Sequence, residues 1–98
     1  MPIARLIYVS VNRDQMPEAE RIWKQDCAPL MIQQPGCLSE ELLKCIDAPG
    51  EYISYSEWTD QESIDRYLES AAHEQIRQHT RGLQGGGRPV VKRYEVAG

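Results

Sequence analysis

Two histidines, His73 and His79, are the side chains of this sequence that titrate near neutral pH without a large shift of their pKa. A neutral imidazole at either position could accept a proton from a substrate. The spacing of six residues places the two on different faces of a helix, so they do not form a metal-binding pair. Both have structural alternatives: a surface or helix-capping role for His73, and a hydrogen-bonded core position for His79.

Aromatic side chains could form the walls of a pocket for a planar compound. Trp58 ends a predicted strand that also contains Tyr55, and Tyr67 lies in the helix that follows. Rings of this kind pack against planar substrates, and a Tyr hydroxyl can donate to an oxyanion. Asn12, at the end of the first predicted strand, could add a polar group. Core packing is the alternative for Trp58 and Tyr67, and a turn is the alternative for Asn12.

Three cysteines, Cys27, Cys37 and Cys45, have an irregular spacing that matches neither a disulfide framework nor a zinc site. We expect reduced thiols that act as small hydrophobic side chains. The glycines at 85–87 lack a following Lys-Ser/Thr and precede a predicted strand, so they predict a flexible connector and not a phosphate-binding loop. These patterns predict a protein without a bound metal or nucleotide.

Length and composition predict a single globular domain over residues 1–98. Hydrophobic residues make up 41% of the chain and charged residues 27%, which are ordinary values for such a domain. A net charge of −4 argues against a nucleic-acid partner. The sequence has no apolar run of about 18 residues and no signal-peptide pattern at its start. We therefore expect a cytoplasmic protein without a membrane partner.

The pattern of apolar residues predicts the order strand, helix, strand, strand, helix, strand. Residues 3–11, 51–58 and 90–96 are rich in the β-branched and aromatic types that strands favour. Pro17 suits the first turn of the first helix, and Pro29 should kink or restart that helix. This order predicts an α+β domain with a ferredoxin-like βαββαβ arrangement and an antiparallel sheet.

Residues 37–47 fit two secondary structures. Their local pattern slightly favours a helix that starts at Ser39 and has an apolar side of leucines and isoleucine. The tight turn at 48–50 before the confident strand 51–58 favours a hairpin, and hence a strand. The sequence alone leaves both open.

The second helix begins after Asp60, a predicted N-cap, and is predicted to close at Gly82. His79 falls in its apolar stripe. On one straight helix His73 would lie roughly 120° from that stripe, and a break near Ser70 would change this phase.

Residues on both faces of the first and last predicted strands are apolar. In a two-layer domain the helices cover one face of the sheet, so something else must cover the other face. A second copy of the chain is the expected cover, which predicts a homodimer.

Several short motifs, taken in order, resemble the antibiotic biosynthesis monooxygenase family over nearly the whole chain. The tryptophan of the pair Glu57-Trp58 at the end of the third predicted strand and the Ser-x-x-His formed by Ser70 and His73 are two of them. The others are PGCLS at 35–39 with ELL at 41–43, ISYSEW at 53–58, the helix 60–67 and the strand 91–96. The resemblance implies a dimeric α/β barrel, in which two four-stranded sheets pack face to face, and it implies that 37–47 is a strand.

The resemblance also implies a range of activities. Some family members are cofactor-free oxygenases of anthrones, quinols and related phenols, and others degrade haem, isomerise small molecules or have no assigned reaction. It implies His73 as a candidate base and Trp58 as a pocket residue. The haem-degrading branch has a ligating His and a Trp where Arg77 and Tyr67 stand here, so we expect no haem, and likewise no flavin or metal.

Three functions compete. The first is a cofactor-independent monooxygenase, an oxidoreductase acting on a small aromatic, quinol or anthrone-like substrate with O2. The second is a non-oxidative isomerase or cyclase that uses His73 as its base. The third is a non-catalytic dimeric module that binds a small hydrophobic ligand.

Overall fold

A computed structural model describes residues 1–83 and 88–98 of the chain. Its strands are β1 (Ile3–Ser10), β2 (Cys37–Lys44), β3 (Glu51–Trp58) and β4 (Val90–Glu95). Its α-helices are α1 (Met16–Ile22), α2 (Ala28–Ile32), α3 (Gln61–Leu68) and α4 (Ala71–Thr80). The connector predicted at 85–87 lies outside the described residues.

The four strands form one antiparallel sheet in the order β2-β3-β1-β4. This is the predicted ferredoxin-like α+β arrangement, in which both helical regions cross the same face of the sheet. Among the described residues no helix is both long and apolar enough to cross a membrane.

Strand β2 confirms the strand prediction for residues 37–44, against the slight local preference for a helix, and residues 45–47 of the predicted segment lie beyond the strand. It pairs with β3 from Cys37 to Lys44, with one irregularity between Cys37 and Ser39 that leaves Leu38 half-exposed. The ladder hydrogen bonds and the side-chain contacts with β3 outweigh a helix propensity of a few tenths of a kcal/mol per residue.

A π-helical turn separates α1 from α2. This turn spans Trp23–Cys27, and Pro29 stands in the first turn of α2. Proline has no N–H to donate and its ring crowds the preceding turn, so the wider turn accommodates it. The predicted kink at Pro29 is confirmed.

The second helical region differs from the single helix that the sequence predicts. Helix α3 ends at Leu68, and Ser70 has extended backbone angles and caps α4. Helix α4 ends at Thr80, and Gly82 lies beyond it without a positive φ. Arg81 is the C-cap of α4, so the helix ends directly before Gly82, at the predicted place.

His79 is exposed, which excludes the alternative of a hydrogen-bonded core position and its predicted place in the apolar stripe. The break at Ser70 resets the phase of α4, and the side chains that then face the sheet are His73, Ile76, Arg77 and Thr80. At about 100° per residue, His79 lies roughly 110° from their mean direction.

The core lies where α2 and α3 meet one end of the sheet. Its buried members are Met31, Trp58, Ile64 and Tyr67. The predicted N-cap of α3 is confirmed, because the Asp60 carboxylate accepts a hydrogen bond from the backbone N–H of Ser63 at 2.8 Å.

Candidate functional site

A cavity of about 500 Å³ lies between the sheet and the helices, beside the core. Its size falls within the range of about 300–1,000 Å³ that is typical of small-molecule sites. Both helical regions and all four strands contribute to its wall, which is mainly apolar. The apolar side chains include Ile7, Val9, Met31, Leu42, Ile76 and Val91, and the polar ones include Arg5, Ser54, Tyr67, His73 and Arg77.

His73 enters the cavity wall because Ser70 starts α4. The Ser70 hydroxyl accepts a hydrogen bond from the His73 backbone N–H at 3.1 Å and donates one to the Tyr67 carbonyl at 2.6 Å. One side chain thus ends α3 and begins α4. The imidazole that results lies edge-on to the Tyr67 ring, with 5.1 Å between the ring centroids.

The surroundings of His73 favour its neutral form. Burial lowers the pKa of the imidazole, and the charges of Arg5 and Arg77 lower it further. A backbone hydrogen bond at Leu68 and the Glu74 carboxylate act in the opposite direction without outweighing them. A neutral imidazole that donates one ring N–H to a carbonyl keeps its other nitrogen as an acceptor. His73 therefore has the charge state that a proton acceptor needs.

The rings of Tyr67 and Trp58 pack against each other, but only Tyr67 lines the cavity. Trp58 is fully buried, donates from Nε1 to the Ser56 hydroxyl at 2.9 Å, and lies behind Tyr67 with ring centroids 5.0 Å apart. Tyr67 itself faces the cavity. Burial raises the pKa of its hydroxyl to about 12, so the phenol stays protonated and can donate. Trp58 thus supports the wall from behind and is not part of the lining.

Arg5 lines the cavity but is not among the site residues predicted from the sequence. It is only 7% exposed and lies on the helix-facing side of β1. Burial is the largest cause that lowers the pKa of its guanidinium. The sequence contained an indication of this buried position, because Arg5 alternates with Ile3, Ile7 and Val9 on a strand face that is otherwise apolar.

Trp23 was also missed. It stands in the π-helical turn, lines the cavity, and has a buried Nε1 that makes no hydrogen bond to any other described residue. Nothing in the local pattern distinguishes it from an ordinary apolar position of an amphipathic helix.

The other predicted site residues lie elsewhere. Tyr55 alternates with Ser54 and Ser56, so it is on the opposite face of the sheet, where its hydroxyl donates to Glu57 at 3.4 Å. Asn12 is exposed in the turn after β1, and neither it nor the exposed His79 lines the cavity. The structure brings together His73 and Tyr67, with Trp58 behind them.

The cysteines are free thiols. Cys27 lines the cavity, and burial raises its pKa to about 11, which makes it a weak nucleophile at neutral pH. Among residues 1–83 and 88–98, no three side chains of His, Cys, Asp or Glu come together as a group that could hold a metal ion.

The sequence model of a known family, antibiotic biosynthesis monooxygenase, matches residues 2–79. The chain belongs to this family. The match includes β1 to β3 and nearly all of α4, and hence the elements that hold Arg5, Tyr67 and His73. A comparison with curated proteins gave no match.

Solved structures of the same architecture have low sequence identity to this chain. A Bordetella bronchiseptica protein that bears the family's name superposes with a TM-score of 0.87 at 20% identity, covering 98% of this chain and 97% of its own. One from Nitrosomonas europaea gives 0.85 at 16%, covering 98% and 90%. SnoaB from Streptomyces nogalater, a cofactor-independent oxygenase, gives 0.82 at 18%, covering 99% and 94%. These likenesses show the fold.

Proposed function

We propose that this protein is a cofactor-independent monooxygenase that oxidises a small electron-rich aromatic compound, such as a quinol or an anthrone, with O2. The observation that carries the proposal is a histidine, His73, kept neutral in the wall of a largely apolar cavity. Membership of the family and the fold shared with SnoaB support it.

The chemistry needs a base and a site that excludes water. His73 takes a proton from an acidic methylene or hydroxyl group, and the substrate anion passes one electron to O2. The resulting radical and superoxide combine into a peroxide at carbon, which recovers the proton from the imidazolium. For a methylene substrate, loss of the second C–H proton with cleavage of the O–O bond leaves a carbonyl group and water. The substrate supplies all the electrons, and one atom of O2 enters the product.

Two hydrogen-bond donors suit the anion that forms. The Tyr67 hydroxyl remains protonated across the neutral range, and the ring that carries it lies edge-on to the His73 imidazole. The apolar wall strengthens such a hydrogen bond because the surroundings have a low dielectric constant. The indole N–H of Trp23 is a second donor that lacks a protein acceptor among the described residues.

We further propose that the protein is a homodimer formed through the sheet face that the helices leave open. This face carries Leu43, Val90 and Tyr94, which are 41%, 52% and 47% exposed in the single chain. Cross-strand alternation places them on the side away from the cavity. The face is apolar enough to need a cover.

Oxygen uptake by the purified protein with a panel of quinols and anthrones tests the oxygenase. Replacement His73→Ala should lower turnover by a factor of about 10² to 10⁴, which is the usual contribution of a general base. The matched replacement His79→Ala removes an exposed imidazole from the same helix and should leave turnover unchanged. Equal losses of turnover in His73→Ala and His79→Ala would contradict the proposal that His73 is the general base. Substrate conversion without oxygen uptake would favour an isomerase, and binding without conversion would favour a ligand-binding module.

A further inference from the structure

Arg5 is a buried cation without a partner in the part of the chain that the structure describes. Only 7% of the residue is exposed, and its side chain lines the cavity wall. Within residues 1–83 and 88–98, its guanidinium forms no ion pair and no hydrogen bond. Across the β1–β4 pairing it faces another cation, Arg93.

An uncompensated charge at this depth is strongly unfavourable for folding. Arginine side chains that are buried in proteins normally pair with a carboxylate or a phosphate, because the planar guanidinium offers two parallel N–H donors. Arg77 shows the contrast on the same cavity, because it is exposed and forms an ion pair with Glu74 at 3.9 Å. Among the residues that the structure describes, Arg5 is thus a buried cation without an anion, and an anion from outside the chain would pair with it.

A second donor stands beside this cation. The Tyr67 hydroxyl interacts electrostatically with Arg5, is protonated at neutral pH, and makes no hydrogen bond to another described residue. Around the two groups the wall is apolar, with Ile7, Met31 and Val91 among its members. A charged fork and a phenol that interact in the wall of one largely apolar cavity suit a negatively charged oxygen group on a flat hydrocarbon ring.

We propose that Arg5 and Tyr67 form an oxyanion subsite and that the natural ligand is an aromatic compound carrying a carboxylate or a phenolate at this position. The inference deepens the proposed function and rests on it for the cavity and for the aromatic class of ligand. It adds a requirement for an oxyanion, which either enters as a carboxylate or is created when a phenol loses its proton to His73.

Binding under nitrogen separates this subsite from turnover. The probes are 2-naphthoate, its neutral isostere 2-naphthamide, and 2-naphthol, titrated into the purified full-length protein by calorimetry and absorbance. Wild type should bind 2-naphthoate at least tenfold more tightly than 2-naphthamide. Replacement Arg5→Met should weaken the 2-naphthoate complex by about tenfold to a hundredfold, the usual range for a hydrogen-bonded charge, and change 2-naphthamide binding less than threefold.

Two further variants keep the result interpretable if Arg5→Met folds poorly. Arg5→Lys keeps the charge but loses the fork, and Tyr67→Phe removes only the hydroxyl, so each should weaken 2-naphthoate by about threefold to tenfold. Arg21→Met is the control, since Arg21 is exposed on α1, pairs with Glu18 and is not part of the cavity wall. It should leave all three affinities unchanged.

The two sources of the oxyanion give different outcomes. A preference for 2-naphthoate that depends on Arg5 supports the subsite with a carboxylate ligand. Binding of 2-naphthol with the absorbance of its anion in wild type, and as the neutral phenol in Arg5→Met, supports the subsite with a phenolate. Equal affinity for 2-naphthoate and 2-naphthamide, together with 2-naphthol bound only as the neutral phenol, would overturn it. If Arg5 governs binding while no substrate consumes oxygen, the oxygenase proposal fails and the subsite stands.

Discussion

Removal of the Ser70 hydroxyl should damage the site more than it damages the fold. The replacement Ser70→Ala deletes the N-cap of α4, where the hydroxyl joins the His73 backbone N–H to the Tyr67 carbonyl. Loss of an N-cap costs about 1 kcal/mol, which lowers Tm by roughly 4–8 °C in a domain of this size. Asp60→Ala is the matched control, because Asp60 caps α3 through one hydrogen bond of 2.8 Å. Its thermal cost should be similar.

Ser70→Ala and Asp60→Ala should differ in the pKa of His73 and in turnover. In Ser70→Ala the first turn of α4 frays and admits water to the imidazole, so the pKa of His73 should rise toward its ordinary value. Turnover should fall about tenfold, since small displacements of a catalytic group are costly. Asp60→Ala should leave both quantities unchanged, and Ser70→Thr, which keeps a hydroxyl, should recover most of the loss.

Titration of the imidazole by NMR, at one protein concentration, measures the first effect, and oxygen uptake measures the second. The reasoning fails if Ser70→Ala lowers Tm but leaves the His73 titration and turnover at wild-type values. It also fails if Asp60→Ala shifts the His73 pKa by the same amount, because the effect would then come from general loosening.

Three further predictions concern stability and assembly. Trp58→Ala removes a fully buried indole and should lower the free energy of unfolding by about 3–5 kcal/mol in urea denaturation; a loss below about 1 kcal/mol would contradict its supporting role. Val90→Lys puts a charge on the open sheet face and should change the sedimenting species from dimer to monomer at micromolar concentration. Ile46→Lys is the control, because Ile46 is 94% exposed in the β2–β3 turn, and it should leave the dimer intact. A wild-type protein that sediments as a monomer would refute the dimer. The pKa of His73 is lower in the folded protein than in the unfolded chain, where it is about 6.5. The stabilisation that the neutral imidazole gives the folded state is therefore complete above pH 6.5. It is lost as the pH falls from 6.5 through the lowered pKa. The Tm of His73→Gln, measured at pH values below 6.5, should therefore fall less with decreasing pH than the Tm of the wild type. The same change of Tm with pH in the variant and the wild type would contradict this prediction.

The sequence by itself determined the strands β1, β3 and β4 and the starts of the two helical regions. Strand composition, the prolines at 17 and 29 and the cap at Asp60 act within a few residues, so their consequences can be predicted locally. It also placed Trp58 and Tyr67 near one another, because a strand end and the helix after it stay close in space.

The tertiary structure decided the rest. Residues 37–44 form a strand because β3 supplies a partner, which no local pattern contains. His73 reached the cavity and His79 did not because a single extended residue, Ser70, shifted the phase of every later side chain. Arg5 became a buried cation because the helices cover the face of β1 on which it stands. The alternation of side chains along a strand defines its two faces in the sequence. Only the packing of the helices determines which of the two faces is buried.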